Sequence, residues 1–201
     1  MGAMFTIDPH DPESFRTYLT DPLRAAKLAI DDGVSWAETV LHDRPFNPWL
    51  WAHLVRYHAC GRLGEPAIHD WSLTPGIAHS GIEIVRGPLT VRVLKSLRNA
   101  PPNPGHSGSR RAFYQQCLQL DFEGAAVPPN GGNLILDWNV DRRNLELTLG
   151  LSKPVGTWPY GGRPQLEWRL IVEFDDDYPR FTSSDEPLDI DPSEELEDED
   201  Q

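Results

Sequence analysis

The chain has 201 residues, 39% of them hydrophobic, with 31 acidic and 18 basic side chains and a formal net charge of −13. A chain of this length buries roughly 70% of its unfolded surface, so it sustains a core without staples, and two cysteines, Cys60 and Cys117, are too few for a disulfide framework. No apolar run reaches membrane-spanning length and nothing resembles a signal peptide, so a cytoplasmic, reduced protein is the expectation.

Met1 to Met4 read as a leader ahead of a natural start at Met4, which leaves 5–174 as one domain and 175–201 as a tail. Asp11-Pro12, Asp21-Pro22 and Asn47-Pro48 each set a capping oxygen before a proline that has no amide to orphan, which predicts three short helices. Gly33 suits a helix end, and Ser35-Trp36-Ala37-Glu38 is a capping box for a further turn or two through His42. The strongest helix runs from Pro48 to about Arg62, with Trp51, Leu54, Val55 and His58 along one side, and is expected to cover a sheet.

After a loop from Gly64 to His79, Ile82 to Val85 and Leu89 to Leu94 read as strands around Gly87-Pro88. Leu89, Val93 and Leu97 also match helical spacing, so a helix to Arg98 stays open. Ala100 to Ser109 is too rich in Pro and Gly for regular structure, and Arg110 to Phe122 resumes as a strand with Tyr114, Gln116, Leu118, Leu120 and Phe122 on one side.

Period-two alternation dominates residues 133–174. Leu134, Leu136, Trp138 and Val140, then Leu145, Leu147, Leu149 and Leu151, then Leu166, Trp168, Leu170, Val172 and Phe174 give an antiparallel meander with one apolar face. A turn at 141–144 sets Val140 opposite Leu145 and Trp138 opposite Leu147. The fold class is therefore α+β, with N-terminal helices packed on a meander of five or six strands. Asp137, Asn139, Glu146, Thr148, Glu167, Arg169 and Glu173 point the other way, as a solvated face or, in the sharper alternative, as the floor of a ligand cup or small hydrolase site.

Alternation stops at Asp175. The tail holds 13 of the 31 acidic residues and one of the 18 basic ones, which leaves the rest of the chain near −1. Such a composition buries too little to order itself. From Ile84 to Leu120, by contrast, there is no acid, but there are Arg86, Arg92, Lys95, Arg98, Arg110 and Arg111.

Few motifs suggest chemistry. Gly105-His106-Ser107-Gly108-Ser109 lacks the last glycine of a nucleophile elbow and follows Pro101-Pro102-Asn103-Pro104 rather than a strand; with Arg110 and Arg111 it makes a better anion cradle. His53 and His58 lie on different sides of their helix, and a zinc set of His58, Cys60, His69 and His79 has no anchoring pair, so no metal or cofactor is expected and His58 reads as a core residue. Among seven tryptophans, Trp51, Trp138 and Trp168 read as core, while Trp49, Trp71 and Trp158 sit at a helix start or in loops.

The leading functional expectation is a non-enzymatic acidic binding protein, of the antitoxin or immunity kind, that engages a basic protein partner through Trp158, Tyr160, Asp175, Asp176, Asp177, Glu194, Glu195 and Glu197. The alternative is nucleic-acid or nucleotide binding by Arg86, Arg92, Lys95, Arg98, Arg110 and Arg111 with bases stacked on Phe113 and Tyr114, the acidic tail competing for the site.

Overall fold

A computed structural model of the chain describes residues 11–12, 14–64, 71–73, 82–86, 89–97, 99–105, 108–116, 132–156, 163–175 and 178–183. Two helices, α1 (Ser14–Leu41) and α2 (Pro48–Gly64), precede β1 (Ser72–Leu73), β2 (Ile82–Arg86), β3 (Leu89–Lys95), a short α3 (Gly108–Tyr114), β4 (Asn133–Asp141), β5 (Glu146–Val155), β6 (Gln165–Asp175) and β7 (Tyr178–Ser183). The expected α+β architecture is present. The seven strands among the described residues lie side by side in chain order, antiparallel throughout except for β3 and β4.

The separate helical segments expected before residue 42 are one helix. Pro22 lies inside α1, yet Phe15, Leu19, Leu23, Ala26, Ile30, Val34 and Ala37 form an unbroken buried stripe. Burying the larger of these side chains contributes about 1.5–3 kcal/mol each, against about 3 kcal/mol for an interior proline, so packing overrides the local stop. Gly33 marks a close approach rather than an end: a Cβ there would sit 2.6 Å from the Val55 carbonyl oxygen of α2. The Asn47-Pro48 start holds, with the Leu50 amide donating to Asn47 Oδ1 at 2.9 Å.

α2 covers the sheet through Trp51, Val55, Ala59 and Leu63, and Trp51 meets Trp138 of β4 at 6.0 Å between ring centroids. His58 is not the core residue expected; it stacks on Trp36 of α1 at 5.2 Å. Trp71, expected in a loop, is buried in the core between helices and sheet.

Residues 82–95 form the β2–β3 hairpin rather than the helical alternative. The β4–β5 hairpin keeps the expected apolar face but shifts by two, pairing Val140 with Leu147, Trp138 with Leu149 and Leu136 with Leu151. Leu145 is spent in the turn, exposed and at φ 58°. The sheet also passes Asp175, where alternation ends: β7 pairs with β6 inside the expected tail. Residues 184–201 lie outside the described residues.

Residues 110–114 are helical instead of extended. The parallel β3–β4 pair requires a crossover between its strands, and α3 lies on that connection. It buries the adjacent Phe113 and Tyr114 against Leu94 and Ile135, making a second, smaller core on the sheet face opposite α1 and α2. Gln116 fastens the end of α3: its amide nitrogen donates to the Asn133 and Pro154 carbonyls at 2.7 and 2.8 Å and its oxygen accepts from the Asn133 amide at 2.8 Å. Among the described residues, no helix is long and apolar enough to cross a membrane.

Candidate functional site

The outer side of the helical layer is aromatic. Two residues along a helix is about 200° around its axis, so burying Trp51, Val55, Ala59 and Leu63 turns Trp49, His53 and Tyr57 to the opposite face. Trp49 is 69% and Tyr57 76% exposed, and Phe46 and Leu50 beside them are also exposed. These rings are ordered by one another: Trp49 packs on His53 at 4.1 Å, and Trp36 of α1 lies 6.5 Å from Tyr57. Arg142 sits 3.4 Å above the Phe46 ring and 3.8 Å from Glu38, whose carboxylate also accepts from Trp51 Nε1 at 2.7 Å.

A second cation, Arg56, also meets this surface. Arg56 Nη2 approaches His53 Nδ1 at 2.6 Å and Nε2 at 3.3 Å. Burial, and after it the nearby charge of Arg110 on α3, hold the Arg56 guanidinium below the usual arginine basicity.

The opposite sheet face is polar, and around Glu83, Arg92, Asp137 and Ser152 it is buried. Glu83, Arg92, Ile135, Ser152 and Arg169 form a row across β2 to β6, and Asp137 lies in the next row, opposite Leu94 and Gly150. Glu83 pairs with Arg92, whose guanidinium stacks 4.3 Å above Phe113. Asp137, 1% exposed, accepts from Ser96 Oγ at 2.7 Å and from Arg169 Nη2 at 3.0 Å. Burial raises the Asp137 carboxyl above the ordinary value, and Arg169 and Ser96 oppose that shift. Gly150 leaves the passage over β5 through which Arg169 reaches β4. Of the expected polar face, Asn139 is half-buried, while Glu146, Thr148, Glu167 and Glu173 remain exposed and Glu167 pairs with Lys153 at 2.7 Å.

The described residues of the basic segment do not assemble into one surface, and His106 and Ser107 of the expected anion cradle lie outside the described residues. Arg86 stacks on Tyr18 of α1, Arg92 is consumed by Glu83 and Phe113, and Lys95 lies 5.9 Å from the Trp51 ring, its amine lowered by burial. Arg110 and Arg111 are half-buried on α3, and Arg111 Nε donates to the Gly105 carbonyl at 3.1 Å. Phe113 and Tyr114 are fully buried, so they offer no ring to a base; the Tyr114 hydroxyl donates to Pro102 O at 2.6 Å and burial pushes its ionisation up. Arg98 lies outside the described residues, as do Trp158, Tyr160, Asp176, Asp177, Glu194, Glu195 and Glu197. Asp175 is exposed and paired with Arg180 of β7.

His69 and His79 of the zinc set also fall outside, and among the described residues no group of three or more His, Cys, Asp and Glu is placed to hold a metal ion. No protein-family model matches the chain, and comparison with curated proteins and with solved structures found no match.

Proposed function

We infer that the protein is a non-enzymatic binding protein that engages a basic protein partner, with the outer face of α1 and α2 as the anchoring surface. The observation that carries this is the exposed pair Trp49 and Tyr57, with the half-buried His53 between them and the exposed Phe46 and Leu50 alongside. Large aromatics are depleted from free surfaces and enriched among the few residues that dominate binding energy. The choice of a basic partner rests on the net charge of −13, most of it in 175–201, which steers oppositely charged surfaces into encounter. Trp158, Tyr160 and the tail carboxylates keep their place in this reading as further contacts.

The test is a pull-down from native lysate at low and high salt, with the full chain, a Trp49→Ala/Tyr57→Ala variant and a chain ending at Ser183, which keeps β7. A stoichiometric basic protein should be retained by the full chain and lost with the double variant, whose melting temperature should stay within about 2 °C because both side chains are exposed. Truncation should weaken capture most at low salt. Undiminished capture by the double variant refutes the anchor, and salt-labile nucleic acid in place of a protein refutes the partner class.

A second reading has one observation in its favour. Arg92 Nη1, Ser152 Oγ and Asp137 Oδ1 are buried on the same sheet face without a hydrogen-bond partner among the described residues, as the walls of a small polar ligand site would be. Ligand-induced shifts of the Ser152 and Asp137 amide resonances, lost on Ser152→Ala, would establish it.

A further inference from the structure

Resting on the docking reading, we propose that His53 is a proton-operated switch on that surface, releasing the basic partner as pH falls. A guanidinium has only protons to offer, so whichever ring nitrogen meets Arg56 Nη2, at 2.6 or 3.3 Å, must present a lone pair. The arrangement therefore exists only with a neutral imidazole. Protonation sets two cations at contact distance. Arg110 of α3 adds a further positive charge, which after burial helps to hold Arg56 below the usual arginine basicity.

Relief comes from moving Arg56 or tilting the His53 ring, and that ring supports the 69%-exposed Trp49 at 4.1 Å. Protonation thus disturbs the apolar anchor and adds positive charge where a basic partner docks. The groups that bear on His53 include Trp49 and Arg56 on α2 and, beyond Arg56, Arg110 on α3. An imidazole ordinarily changes charge near pH 6.5 and a carboxylate near pH 4, so the window between pH 7.5 and 5.5 addresses a histidine.

The experiment uses the full chain and His53→Gln, whose amide oxygen can still accept from Arg56 but does not titrate. The probe is a synthetic amphipathic lysine–leucine helical peptide, standing for an apolar surface rimmed with cations, titrated at pH 7.5 and 5.5 at fixed ionic strength. Wild-type affinity should fall about three- to tenfold at the lower pH, the worth of one added like charge on a partly screened surface plus a disturbed anchor, while His53→Gln should keep its affinity. Nitrogen-15 spectra of the wild-type ring should show one unprotonated nitrogen at pH 7.5. Equal loss in both proteins, or a doubly protonated ring at pH 7.5, overturns the switch alone. Absence of binding at either pH overturns the docking reading and the switch with it.

Discussion

Gly150→Ala is the most informative single change to the fold. A Cβ at this position would lie 2.5 Å from Arg169 Nη2 and 2.8 Å from Asp137 Oδ1. The tip of an arginine ordinarily moves aside at little cost. Here it cannot, because its side chain is 9% exposed, its partner 1%, and the passage between them crosses Gly150. The substitution leaves both charges in place and desolvated while prying them apart, and breaking such a buried pair costs about 3–5 kcal/mol. Alanine returns about 0.4–1 kcal/mol by restricting the unfolded chain. The expected net loss is about 2–4 kcal/mol, seen in urea unfolding and as a fall of about 5–15 °C in Tm for a chain of this size. Repeating the substitution in an Asp137→Ala/Arg169→Ala background supplies the control. With no bridge to displace, the penalty should vanish. A loss under about 1 kcal/mol in the wild type, or the same loss in both backgrounds, would refute the bridge as the reason for glycine.

Asp137→Asn keeps the partners of Ser96 and Arg169 but removes the charge, so it should cost less than Gly150→Ala. Because burial raises the folded carboxyl above its unfolded value, the folded chain binds this proton first, and the stability it contributes grows as pH falls through the folded value and is complete below about 3.9. Wild type should therefore gain on Asp137→Asn between pH 7 and 4.5 in paired urea titrations; a relative loss would reverse the sign of the argument. Leu145→Asn should stabilise by about 0.5–1 kcal/mol, since an exposed leucine at φ 58° buries little and asparagine tolerates the left-handed region. An unchanged or lower Tm would show that the turn does not strain leucine.

The parts of the fold legible in the sequence are those written in neighbouring residues. Asn47-Pro48 starts α2 because a cap is a contact across three residues, and the alternation in 134–140 and 147–151 fixes which face of each strand is apolar. Alternation does not fix how far one strand slides by two, since such a shift leaves every face unchanged, and Leu145 falls into the turn on that freedom. Asp21-Pro22 has the form of a helix start, but the stripe from Phe15 to Ala37 spans it, and a stripe is a tertiary quantity that a cap rule does not weigh. Phe113 and Tyr114 are adjacent, a pattern that fits neither period alone; both are buried because a short helix lies against the sheet.

The same distinction separates the two polar surfaces. Tyr57 was within reach of the sequence: once Trp51, Val55, Ala59 and Leu63 are recognised as a stripe of period four, Trp49, His53 and Tyr57 must face away from it. The burial of Asp137 was not. It depends on the parallel β3–β4 pairing, which has no local signature, because that pairing brings Leu94 and Ser96 beside β4 and sends the connection across the second sheet face. Part of a face that reads as solvated in an all-antiparallel meander is thereby covered, and the charges buried there must then be paired. Glu83 with Arg92 and Asp137 with Arg169 are the result, and they remove from solution two of the arginines that a sequence reading leaves free for a ligand. The aromatic face of α2 has no such cover among the described residues, and its rings therefore carry the functional argument.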